Sequence, residues 1–127
     1  MNTTETLESL KKQRTVLLTS YRKDGTPVGT PVNVVVLGEH AYFRTYDKAV
    51  KTKRLARNPE VEIEPSTFRG KVTGPAVHGR VRLLSEEESQ PIRRLLARKH
   101  PFLQGFAVPF FHRMKHYRTL HYEVTLG

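Results

Sequence analysis

Lys51, Lys53, Arg54 and Arg57 put four cations on one short stretch, directly after a strand-to-helix junction. The strand is Ala41 to Thr45, an apolar and aromatic run. A polar turn, Tyr46-Asp47-Lys48, follows it, and the small pair Ala49-Val50 opens the helix. The first backbone N–H groups of a helix have no intrahelical partners, and the helix dipole favours an anion there. Residue types and order therefore suit the segment 41–59 to holding a phosphate. A solvated basic helix is the plain alternative, and these residues alone leave it open.

Other chemistries find less support. The chain has no cysteine, which removes disulfides, thiolate zinc sites and a cysteine nucleophile. Glu86, Glu87 and Glu88 read as a helix start favoured by the dipole, and Glu62 and Glu64 alternate on an outward strand face, so no paired-carboxylate site emerges. Of the six histidines, His112 and His116 stand four apart, but no glutamate lies between them and no third ligand is evident. They read as surface or interface residues. No G-x-S-x-G motif is present, nor G-x-G-x-x-G in a βαβ setting.

The net charge of +10 implies an anionic partner: nucleic acid, an acidic membrane surface or a multiply charged small molecule. Oligonucleotide-binding barrels usually stand aromatics on their strand faces. Here Phe102, Phe106, Phe110 and Phe111 gather near the C-terminus instead, a core or dimer-interface pattern. Nucleic acid is thus the minor alternative.

These residues need a frame. Thr4 to Gln13 predicts a short helix on the outside of the fold, with Leu7 and Leu10 on one face. Arg14–Tyr21 and Pro27–Leu37 read as strands joined at Asp24-Gly25, a strong hairpin signal. Pro31 argues against full pairing on both sides, and an edge strand with a bend accounts for it. After the strand 41–45, a helix is expected over Ala49–Arg57, stopped by Asn58-Pro59. Val61–Phe68 and Ala76–Leu84 alternate as strands, the latter with Val77, Gly79, Val81 and Leu83 on one side. Ser85 and Glu88 form a capping box for a helix reaching Lys99, although Pro91 implies a later start or an irregular first turn. A further helical piece is expected in Phe102–Met114, and a final strand in Arg118–Leu126. This order predicts an α+β, mainly β fold: a barrel of about six antiparallel strands with short flanking helices.

The length, 127 residues, suits a single domain spanning residues 1–127, and so modest a core favours dimerisation. The polar N-terminus does not read as a signal peptide, and the run Val34–Leu37 is too short to span a bilayer. The expected setting is cytoplasmic, with no membrane contact.

Three motifs then meet a known family. D-G-x-P-x-x-T-P-V at Asp24–Val32, K-x-K-R-L-x-R-N-P at Lys51–Pro59 and R-G-x-V-T-G-P at Arg69–Pro75 occur in this order over residues 14–84. Together they resemble the split β-barrel oxidoreductases related to pyridoxamine phosphate oxidase, and within them the branch that uses the deazaflavin coenzyme F-420. The resemblance implies an FMN-binding split-barrel fold and a homodimer with cofactor at the interface. The C-terminal aromatic segment and the last strand would contribute to that interface. It also implies hydride transfer to a small unsaturated or conjugated organic substrate. Thr30, Pro31 and Val32 would lie against the flavin-like ring, and Thr45 would meet the ribityl-phosphate side. Lys51 matches the phosphate-binding lysine, with Ala49 and Val50 beside it. Lys53 and Arg54 match the extra cations that meet the acidic tail of coenzyme F-420. Flavin-mononucleotide oxidases of the family carry an Arg-Lys pair where this chain has Val50-Lys51. FMN is accordingly the second choice of cofactor.

Overall fold

The computed structural model describes residues 3–46, 50–67, 71–99 and 119–127. In chain order the elements are α1 (Thr3–Lys12), β1 (Thr15–Tyr21), β2 (Pro27–Leu37), β3 (His40–Tyr46), α2 (Val50–Arg57), β4 (Glu60–Ser66), β5 (Val77–Leu83), α3 (Glu86–Lys99) and β6 (Thr119–Leu126). The six strands close an antiparallel barrel in the order β1-β2-β3-β6-β5-β4, sealed by pairing of β4 with β1. The expected α+β, mainly β split barrel is therefore the architecture.

Local chemistry accounts for the turns. Gly25 has φ 89°, open to glycine without strain, and Arg22 N–H donates to Thr26 O across the turn (2.9 Å). The Asp24 carboxylate accepts from Thr26 N–H (3.0 Å) and locks that hairpin. Asn58 ends α2 and then caps the turn into β4, its Oδ1 accepting from Glu60 N–H (3.1 Å).

Alternation fills the barrel. Val16, Leu18, Val32, Val34, Phe43, Val61, Ile63, Val81, Tyr122 and Val124 all belong to one buried core. Phe43 and Tyr122 stack inside it, with centroids 5.2 Å apart and planes within 9°. Glu62 and Glu64 lie outside, as their alternation predicts, opposite Thr19 and Leu17.

Helix α1 is built into the molecule, where the sequence reading placed it outside. Leu7 and Leu10 join the barrel core, because the end of a barrel this small must be covered by apolar side chains. The helix sits at the end where β1 begins and β4 finishes. There Gln13 Nε2 donates to Thr15 O (2.9 Å) and Ser66 O (2.8 Å), tying the closing strands together.

Helix α3 makes a second layer on the outer face. Ile92 and Leu96 pack with Val35, Tyr42 and Leu84. The capping box forms in both directions: Glu88 N–H donates to Ser85 Oγ (3.1 Å), and Ser85 N–H donates to Glu88 Oε1 (3.0 Å). Pro91 lies inside a helix that starts at Glu86, so neither expected disruption occurs. Both Pro91 and Glu87, whose carbonyl loses its donor to the proline, are exposed, and water can satisfy that carbonyl. Leu83, expected inside, is 51% exposed. β5 ends there, and Leu84 takes the buried place beneath α3.

β6 begins at Thr119 and forms a wall of the barrel between β3 and β5. Its outer face carries His121, only 1% exposed, with no hydrogen-bond partner for either ring nitrogen among the described residues. Burial, assisted by Arg93 and Arg44, pushes this imidazole down to about 4. The expected helical piece 102–114, the pair His112 and His116, and Arg118 lie outside the described residues.

Candidate cofactor site

Consider first the strand β2. It pairs with β1 along its whole length from Pro27 to Asn33, but with β3 only from Val34 onward. Val34 N–H donates to Arg14 O on the β1 side (3.3 Å). Backbone direction alternates along a strand, so Val32, Thr30 and Val28 also turn toward β1. Gly29, Pro31 and Asn33 then turn toward the flank that β3 has left. Pro31 stands where no N–H is required by the ladder, which reconciles a proline with a barrel strand. The barrel is split at this place, between the first half of β2 and the last residues of β3.

The same alternation divides the expected ring contacts. Val32 is buried in the core and Thr30 half-buried on that inner side, whereas Pro31 is exposed. The structure therefore offers the backbone edge and the Pro31 ring to the outside, and keeps the Val32 side chain within. Thr45 is on the inner face of β3 and 3% exposed; its Oγ1 has no partner among the described residues. A buried hydroxyl without a partner is costly, and a ligand group would relieve it.

α2 lies at the barrel end where β3 finishes, β1 finishes and β2 begins. Leu55 anchors it in the core. Thr52 is hydrogen-bonded to Tyr122, joining the helix to β6. On this anchored helix Lys51 is half-buried, and burial with the nearby Arg54 charge lowers its pKa. Arg54 is 8% exposed. Its Nε donates to Ser20 Oγ at 2.8 Å, across to the inner face of β1. Burial, then Arg22 and Arg57, lower its pKa in turn. Among the described residues no carboxylate pairs with Arg54 or Lys51.

Lys51 and Arg54 thus lie close together. Lys53 is exposed on another side of the helix and does not join them. Val50 starts α2, and Ala49 lies outside the described residues. One partner of the cluster, Ser20, is not visible from the sequence. Ser20 carried no signal, being one hydroxyl in a strand otherwise read as wall. Arg22, in the turn between β1 and β2, lies near enough to Arg54 for its charge to lower the Arg54 pKa.

Several like charges gathered at a barrel mouth, two of them partly or wholly desolvated, could hold an anion. The adjoining open strand edge and the unpartnered Thr45 hydroxyl fit a planar, phosphorylated molecule lying along the split. Among the described residues, no group of three histidines or carboxylates is placed to hold a metal ion, and no helix is long and apolar enough to cross a membrane.

Comparison with known proteins agrees with this geometry at the level of fold. An FAD-binding protein from Mesorhizobium loti superposes with a TM-score of 0.68 at 16% identity, over 99% of this chain and 88% of the other. An F-420 reductase gives 0.65 at 16%, over 94% and 92%. A NimC/NimA family protein from Clostridium acetobutylicum gives 0.62 at 17%, over 97% and 78%. No curated protein matches the sequence. The family model described as pyridoxamine 5'-phosphate oxidase matches residues 3–107, the greater part of the chain from α1 through α3. With its split barrel and its basic helix at the mouth, this chain belongs to the pyridoxamine 5'-phosphate oxidase family.

Proposed function

We propose that the protein binds coenzyme F-420 along the split between β2 and β3 and reduces a small unsaturated or conjugated organic substrate. The observation that carries this reading is the cation cluster at the α2 end, where Lys51 and the buried Arg54 sit with Arg22 and Arg57 nearby and pair with no carboxylate among the described residues. A coenzyme with a phosphodiester and a tail of glutamates suits several cations better than a lone phosphate does. The cofactor would supply the hydride chemistry. The chain's own residues bind and orient: Lys51 and Arg54 at the anionic end, Thr45 at the sugar-like chain, and Pro31 with the neighbouring β2 edge beside the ring. Lys53, exposed, is left for the outer part of the tail. The functional unit in this reading is a homodimer, with a cofactor site at each edge of the interface.

The test compares two cofactors on the purified protein. Coenzyme F-420 is followed by its own fluorescence and FMN by quenching. Micromolar or tighter binding of F-420, well ahead of FMN, supports the assignment. Millimolar F-420 binding with tight FMN would transfer the site to flavin mononucleotide, the second reading. Val50, standing where FMN oxidases of the family carry arginine, weighs against that outcome.

A further inference from the structure

Arg54 is a guanidinium removed from water without a carboxylate among the described residues to receive it. Buried arginines are ordinarily paired, because the charge cannot be neutralised by losing a proton. This one is held instead by a neutral oxygen. Ser20 is the last inward residue of β1 before the hairpin, and is itself only 1% exposed. Its hydroxyl accepts from Nε, the one nitrogen of the group that lies on the side-chain stem. A guanidinium gripped at Nε is fixed in plane and direction, and its two terminal nitrogens remain for a bidentate anion.

We propose that Ser20 is the positioning residue of the anion site. By holding Arg54 Nε inside the barrel mouth it aims the paired terminal nitrogens at a phosphoryl or carboxylate group of the ligand. This rests on the reading that α2 binds the cofactor's anionic end. It adds a residue from β1, thirty-four positions away in sequence, that touches no ligand itself. A serine rather than a carboxylate at this point matters for the chemistry. Aspartate or glutamate there would orient the arginine equally well but would cancel the charge that the ligand needs.

The experiment titrates inorganic pyrophosphate and coenzyme F-420 into the native protein, Ser20→Ala, Ser20→Thr and Arg54→Lys, by calorimetry. Losing an orienting bond to a charged group should weaken both ligands roughly tenfold in Ser20→Ala. Ser20→Thr keeps the hydroxyl and should stay within about threefold of native. Arg54→Lys keeps the charge but loses the fork, and should lose about as much as Ser20→Ala, so the inference remains testable if the alanine variant fails to fold. The deazaflavin fragment lacking the phosphodiester should bind all four proteins alike. Equal affinity of native protein and Ser20→Ala for both anions overturns the proposal. So does an equal loss for the phosphate-free fragment, which would mark a general structural role. Pyrophosphate binding that depends on Ser20 without any affinity for F-420 would sink the cofactor assignment and leave Ser20's role standing. F-420 binding indifferent to Ser20 and to Arg54→Lys would do the reverse.

Discussion

A lysine's burial decides how it can serve an anion. Lys51 loses hydration on one side and faces the Arg54 charge on another, and both lower its pKa below that of a free lysine. A bound phosphate would reverse this by supplying the opposite charge. Cofactor affinity should therefore be full at neutral pH and decline as pH rises through the depressed Lys51 pKa, earlier than a solvent-exposed lysine would allow. Lys51→Ala should weaken F-420 by about 1.5–3 kcal/mol, the usual worth of a charge-assisted contact, and should remove that alkaline decline. Fluorescence titrations between pH 7 and 10 measure both effects; an unchanged dissociation constant in the variant would place the phosphate elsewhere. Lys51 stands out in the sequence by its place just after a strand-to-helix turn. The burial that sets its chemistry does not, since it depends on how α2 seats across the barrel. Lys53 and Arg54 looked equivalent in sequence, and a rotation of one residue on the helix sends the first to solvent and the second under cover.

At the scale of the element, legibility followed locality. The Asp24-Gly25 hairpin, the Ser85–Glu88 capping box and the alternation of Val61 and Ile63 are set by neighbours a few residues away, and each formed as read. The insertion of β6 between β3 and β5 is a long-range pairing that no local pattern encodes. The role of Gly79 belongs to that hidden class. It faces inward on β5, where a Cβ would stand 2.8 Å from Val124 Cγ1 and 3.3 Å from Thr125 O. Val124 is fully buried. Gly79→Ala should cost about 1–3 kcal/mol in urea unfolding through overpacking alone. Pairing it with Val124→Ala should recover part of that loss, because the two methyl groups compete for one space. Strictly additive losses in the double variant would mean that the strand separates from β6 instead of crowding against it.

The molecule as a whole carries a buried neutral histidine in a strongly basic chain, and this sets its response to acid. His121 lies beneath α3 with Arg93 and Arg44 nearby, both opposing its protonation, and Glu86 favouring it more weakly. Its pKa falls from 6.5 in the free side chain to about 4 in the fold. The unfolded chain thus takes up a proton at a higher pH than the folded one. Stability is fully present above pH 6.5, declines as pH falls toward 4, and stops changing on this account below it. By pH 5 the loss is on the order of 2 kcal/mol. Glu88, held down to about 2 by its bond to Arg82, adds an acid dependence of the same sign only below the ordinary carboxylate range. The two contributions therefore separate along the pH axis. Urea unfolding at pH 7.5 and pH 5 should show the native protein losing stability between them, while His121→Gln, which cannot charge, holds nearly constant. A native protein equally stable at both values would mean that the imidazole titrates alike in the folded and unfolded chain, and that the cover of α3 over β6 admits water.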